Sequence, residues 1–318
     1  MTKPRGVASG APYTTIVWFR NDLRLEDNPA LHAALERGGP IVPVFIWAPE
    51  EEGAWPPGAA SRYWLHQSLK ALDASLRDRG SRLILWQGPS LGTLRDIVRE
   101  TNAGAVYWNR RYEPTAIARD TSVKSALRNE GLTVESFNAS LLVEPLDIAT
   151  KQGKPYQVFT PFWKTCLGRL EMPQPLPSPT RIAAPGTWPG SQPLKSLRLE
   201  PSIDWANGIR AVWQPGEAGA HAQLTRFLDE AIADYSEGRD RPDRTGTSRL
   251  SPHLHFGEIG PRQILHALLT RGAWDTRSGA ASGVDKFVSE LGWREFSYHL
   301  LYHFPHTMDR PLNEAFER

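Results

Sequence analysis

Short, dense apolar runs alternate with longer amphipathic stretches through the first half of the chain. Residues 15–19 (TIVWF), 41–47 (IVPVFIW), 82–86, 105–108 and 132–137 are rich in β-branched and aromatic side chains and bounded by glycine, proline or charge, as buried strands are. Between them lie segments of helical period. The first opens at Asn28 and Pro29 and closes at Gly38 and Gly39; the others cover residues 60–79, 90–100 and 114–129. An asparagine cap, a proline in the first turn and a glycine past the end are helix start and stop signals. Five strands separated by helices predict an α/β fold, a doubly wound parallel five-stranded sheet covered on both faces, over residues 14–145.

The alternation then fails. Between residues 171 and 201 eight of 31 positions are proline, too many for a long helix or strand, so residues 146–215 read as a connector. Past it the period is helical throughout. Leu224, Phe227, Leu228, Ala231, Ile232 and Tyr235 recur at helical spacing, and residues 259–271 and 284–303 form two further helices. Residues 216–318 therefore predict a second, all-helical domain.

Composition narrows the setting. One cysteine, Cys166, excludes an intramolecular disulfide framework and agrees with a cytoplasmic protein. The longest apolar run, residues 41–48, is far short of the roughly 20 residues that span a bilayer, so no membrane partner is expected. A net charge of +2 is too mild to establish nucleic-acid binding by itself. Twelve tryptophans are the oddity: most must pack, and some are candidate stacking surfaces.

Candidate chemistry sits in four places. In a parallel sheet, ligands lie beyond the carboxyl ends of the strands, which singles out the loops at residues 20–27 and 109–113; a salt-bridged rim is the plain alternative. No dinucleotide glycine fingerprint and no P-loop occurs. Residues 244–258 concentrate hydroxyls, arginine and glycine. Gly246 permits close backbone approach, Thr247, Ser248 and Ser251 offer hydroxyls, and Arg249 offers a planar fork, so the stretch suits an anion. Ser251 before Pro252 reads as a helix cap, and a capped turn without a ligand stands as the alternative. On the last long helix Glu290, Trp293, Arg294 and Ser297 fall at i, i+3, i+4 and i+7, a face suited to a flat heterocycle or, more plainly, a half-buried ring beside an ion pair. His299 and His303 lack the companions a zinc site needs, so no metal is expected. His253 and His255 read as hydrogen-bonded loop histidines.

Taken together, residues 16–30 (IVWFRNDLRLEDNPA), 108–114 (WNRRYEP), 247–252 (TSRLSP) and 290–296 (ELGWREF) resemble the photolyase/cryptochrome family, in the family's order and over nearly the whole chain. The resemblance implies an antenna domain followed by a helical domain that holds FAD. It places FAD against Tyr235 and against Thr247, Ser248, Arg249, Leu250 and Ser251. Arg239 matches a position that contacts the DNA backbone. Glu290 and Trp293 match the pair that receives a flipped-out pyrimidine dimer, with Arg294 and Ser297 beside them in the lesion motif. The implied function is light-dependent repair of cyclobutane pyrimidine dimers, by a monomer acting on damaged DNA. A cryptochrome-like blue-light photoreceptor is the alternative.

Three departures qualify it. Ala116 stands where folate-binding members carry glutamate, so a second antenna chromophore need not be a folate. Ser297 stands where tyrosine is common. The chain ends at Arg318, before the family's remaining helices, from which an incomplete FAD domain with unpartnered apolar faces, or an inactive truncated remnant, is expected.

Overall fold

The computed structural model describes residues 13–170, 174–274 and 283–317. The five strands are β1 (Thr15–Phe19), β2 (Ile41–Trp47), β3 (Ile84–Gln87), β4 (Ala105–Asn109) and β5 (Thr133–Phe137), all parallel, in the order β3-β2-β1-β4-β5. Helices α1 (Pro29–Arg37), α2 (Ala59–Arg77), α3 (Ser90–Thr101) and α4 (Pro114–Asn129) connect them. Successive side chains of β1 and β2 enter opposite cores: Ile16, Trp18, Val42, Val44 and Ile46 on one face, Val17, Phe19, Ile41, Phe45 and Trp47 on the other. That explains why these strands read as unbroken apolar runs rather than alternating ones. Asn28 caps α1 as its sequence indicates, accepting the Leu31 N–H at 3.1 Å.

The segment between sheet and helices is divided by packing. Its first part carries α5 (Phe159–Arg169), whose Phe162, Trp163 and Cys166 join the helical core. Its later part is pinned to the sheet domain: Ile182, Leu197 and Leu199 enter the core over β1 and β2, and the Gln192 N–H donates to Leu85 on the β3 edge at 2.8 Å. Proline-rich sequence here forms no α-helix or strand among its described residues, only a 3-10 turn at Leu194–Leu197, but still contributes buried apolar groups.

The helical part contains α6 (Asn207–Val212), α7 (Glu217–Glu230), α8 (Tyr235–Gly238), α9 (Ser251–His255), α10 (Pro261–Thr270) and α11 (Gly283–His303). The amphipathic stretch through Tyr235 is not one helix. α7 stops at Glu230, Ala231 turns out of helical geometry, and Tyr235 opens the separate turn α8. Many apolar positions of these helices find partners within the described residues. Leu224, Phe227, Ile264, Leu265, Leu268, Phe287 and Leu291 are buried in one cluster with α5. Close backbone approach makes that possible at Gly292, where a Cβ would come within 2.6 Å of the Trp163 ring.

Candidate functional site

The loop at residues 20–27 leaves β1 at the point where strand order reverses, between β1 and β4. Its charges are absorbed by the protein. Asn109 Nδ2 donates to Asp22 at 2.6 Å and to Asn28 at 2.8 Å, tying β4 to the loop. Arg24, 1% exposed, donates to the backbone carbonyls of Gly257 (3.0 Å), Asp27 (2.7 Å) and Ala139 (2.8 Å). The Leu23 N–H donates to the Phe256 carbonyl at 3.1 Å, and Arg262 pairs with Asp27 at 3.1 Å. Gly257 sits at φ +64°, and a Cβ there would lie 2.1 Å from the Asn21 carbonyl oxygen. These residues form the junction between the two parts, and the plain rim reading of this loop gives way to a buried network of charges.

A second set of buried acids seals the same junction. Glu258, fully buried, accepts from Trp64 Nε1 (3.0 Å), the Ser68 hydroxyl and the Gly216 N–H (2.7 Å), and lies 2.5 Å from His253 Nδ1. Glu295 on α11 accepts the Leu142 N–H at 2.7 Å, and burial pushes its carboxyl up to about 7. His299 accepts the Tyr156 N–H at 3.0 Å, and burial pushes the imidazole down to about 4. Composition gave no signal for Glu258 or Glu295, since an isolated glutamate in helical sequence reads as a surface residue.

Beside the junction a cavity of about 320 Å³ opens at the carboxyl ends of β1 and β2. Trp18, Trp47, Trp55, Arg20, Arg119 and His255 are among its walls. Three of those residues carry buried donors without a hydrogen-bond acceptor: Trp18 Nε1, Arg20 Nε and an Arg119 terminal nitrogen, the last held 3.0 Å from Asp120 by charge alone. Such donors are costly unless a ligand or water accepts from them. Of the 109–113 loop only Arg111 and Glu113 reach the cavity, and Arg111 is clamped to Glu52 by two 2.7 Å bonds. Ala116 is buried within α4 and is not among the lining residues.

The other candidate residues form an open wall on the helical part. Tyr235 is buried between Phe227 and Phe287, which pushes its hydroxyl up. Arg239, one turn on, lies 5.7 Å from the Tyr235 ring and pairs with Glu290 of α11. Trp293 is 45% exposed and stacks on Phe159, ring centroids 3.8 Å apart. Ser297 is exposed, its hydroxyl donating back to the Trp293 carbonyl at 2.9 Å. Arg294 does not join them. It turns toward the sheet domain, donating to the Ser140 carbonyl at 2.7 Å and lying over Tyr298, because one side of α11 is drawn into the junction by Glu295.

The hydroxyl loop meets this wall through two glycines. A Cβ on Gly246 would lie 2.4 Å from the Gly238 carbonyl oxygen, so packing against α8 by itself requires a glycine here. Ser251 is also not a cap: it is already the first residue of α9, Leu250 precedes it without a side-chain bond, and Leu250 itself is buried. Gln223 of α7 holds the Ser248 carbonyl at 2.7 Å, and the Ser248 hydroxyl accepts from the Leu250 N–H at 3.4 Å. Thr247 is exposed. Arg249 adopts φ +54° and lies 4.4 Å over the Trp213 ring, with no acid in ion-pair range among the described residues. A cation in strained backbone without a counter-charge fits an anionic group.

The DNA photolyase family profile matches residues 15–180. The chain is 47% identical over 303 residues to a deoxyribodipyrimidine photo-lyase of Agrobacterium fabrum, covering 95% of this chain and 62% of that protein. It is 38% identical over 319 residues to cryptochrome-1 of Arabidopsis thaliana, covering 96% of this chain and 45% of that one. A crystal structure of a bacterial class III photolyase from Agrobacterium tumefaciens superposes with a TM-score of 0.89 at 44% identity, over 99% of this chain and 64% of that chain. The chain thus spans about half to two thirds of the length of these relatives. With motif order, parallel sheet and helical wall all in agreement, this chain belongs to the DNA photolyase family.

Proposed function

We propose that this chain binds FAD and a cyclobutane pyrimidine dimer in DNA, and serves light-dependent repair of that lesion. One observation carries the reading: Arg239, Glu290 and the exposed Trp293 stand together on a wall continuous with the turn of Tyr235 and the loop of Arg249, which has no acid in ion-pair range among the described residues. Reduced FAD, when bound and excited by light, supplies the electron that splits the cyclobutane ring and recovers it. The residues of this chain bind, orient and exclude water.

Arg249, with the hydroxyls of Thr247 and Ser248, offers charge-assisted donors for a diphosphate. Trp293 already uses one face on Phe159, which leaves the other for a flipped-out base. The Glu290 carboxylate accepts from base N–H edges once Arg239 releases it, and a DNA phosphate is the natural acceptor for the guanidinium set free. A second chromophore fits the sheet-end cavity, whose tryptophan walls and unsatisfied donors suit an aromatic ring bearing acceptor oxygens.

The sequence likeness to a plant cryptochrome favours a second reading, a photoreceptor that uses the same flavin without repair. One experiment separates them. The purified chain, supplied with FAD, is mixed with dimer-containing or undamaged oligonucleotide; flavin retained on gel filtration, affinity, and dimer loss under blue light are measured. The expected result is retained flavin, preference for the lesion and repair, with flavin retention reduced by Arg249→Ala and by Thr247→Ala with Ser248→Ala. Equal affinity for both oligonucleotides rejects lesion recognition, and undiminished flavin in both variants shows the loop to be only a turn.

A further inference from the structure

One group of ligating side chains lies outside both the wall and the cavity. Glu26 belongs to the loop after β1; Glu217 opens α7 and His221 follows one helical turn later, so these two share a face. One ligating atom from each lies within 4.8 Å of the other two. His221 Nε2 is 3.3 Å from Glu26 Oε2, an ion pair between two side chains that are each a little over a third exposed, with the ring nitrogen itself turned away from solvent. Tetrahedral zinc, with bonds of about 2.0–2.1 Å, holds neighbouring donors about 3.3–3.4 Å apart. We propose that Glu26, Glu217 and His221 form a divalent-cation site of the zinc type, completed by water, that ties the loop after β1 to the start of α7.

The carboxylate of Glu217 is oriented before any ion arrives. Its two oxygens accept the N–H groups of Leu25 (3.0 Å) and Glu26 (2.8 Å), which leaves a second lone pair on each for coordination. Arg24 in the same loop is the nearby cation that acts on both carboxyls, and Gln263 on α10 is an uncharged neighbour of Glu26. With neutral imidazole, two carboxylates therefore face one guanidinium, and a divalent ion is attracted. An imidazole among the ligands selects zinc, or cobalt in its place, over magnesium and calcium, which prefer oxygen alone.

The test uses the whole chain, stripped with a chelator and titrated with Co2+ as the coloured stand-in for Zn2+. One Co2+ per chain should bind with visible absorption of tetrahedral type and be displaced by Zn2+ and not by Mg2+. Zn2+ should raise the melting temperature. His221→Ala and Glu26→Gln should each abolish the absorption while the metal-free melting temperature stays near that of the parent, since neither removes the Glu217 bonds. Absence of Co2+ absorption in the parent, or absorption unchanged in His221→Ala, overturns the proposal.

Discussion

Two regions of this molecule use the same residue types to opposite ends. At the junction behind β1, Arg24 is buried and its guanidinium meets four backbone carbonyls beside Asp27. On the wall of α8 and α11, Arg239 is about a quarter exposed and meets a single carboxylate, Glu290, while Arg249 meets none in ion-pair range among the described residues. Desolvated charge must be satisfied inside the protein, so an arginine enclosed on every side has no capacity left for a ligand. An arginine at the surface keeps it. The difference separates structural motif residues from ligand-facing ones, although the two stretches look equally polar in sequence.

Breaking one member of each region should expose that difference. Arg24→Met leaves buried carbonyls without their donor and removes a buried charge beside Asp27, and should destabilise folding by about 3–5 kcal/mol. Arg239→Ala removes one partly exposed ion pair and should change stability by about 0–1 kcal/mol. Urea unfolding of both variants measures the contrast. Comparable losses would mean that the wall is as structural as the junction.

Much of this was legible in the sequence, and the failures have a common cause. Strands β1 and β2 were readable to the residue because both faces are buried and every position is apolar. Tyr235, Arg239, Glu290, Trp293 and the hydroxyl loop were singled out, and the structure brings them to one wall. What sequence spacing could not reveal was which neighbour claims each group. Helical period put Arg294 with Glu290, but Ser140 and Tyr298, over a hundred residues away or on the next turn, draw it aside. Gly246 read as backbone room, and its close neighbour in the fold is the backbone of Gly238. The break of α7 after Glu230 was hidden because Ala231 and Ile232, just past it, continue the apolar pattern and stay buried.

On the wall, the ligand-facing role is sharpened by Trp293→Ala, which should weaken binding of a dimer-containing oligonucleotide by about 1–3 kcal/mol through lost stacking. Phe159 stays in place as a platform, so folding should be little affected. A fluorescence titration reports the affinity, and identical values for variant and parent would remove Trp293 from the lesion site.

The junction makes a subtler prediction in its response to pH. The Glu295 carboxyl lies at about 7 in the folded chain against an ordinary 4.5, so its neutral form is favoured by folding; that contribution is complete below pH 4.5 and lost as pH rises through 7. His299 lies at about 4 against an ordinary 6.5, so its contribution is complete above 6.5 and lost as pH falls through 4. Between pH 7 and 5 the two act against each other. Acidification over that window gains on the order of 2 kcal/mol from Glu295, while His299 withdraws a share of opposite sign. The parent should therefore change little. Glu295→Gln, which mimics the neutral carboxyl and can still accept the Leu142 N–H, should lose stability on acidification because only His299 is left. His299→Gln, which can still accept the Tyr156 N–H, should gain. Thermal melts at pH 5 and pH 7 read both signs, and parallel pH dependence in parent and variants would show that these two buried groups do not govern the junction.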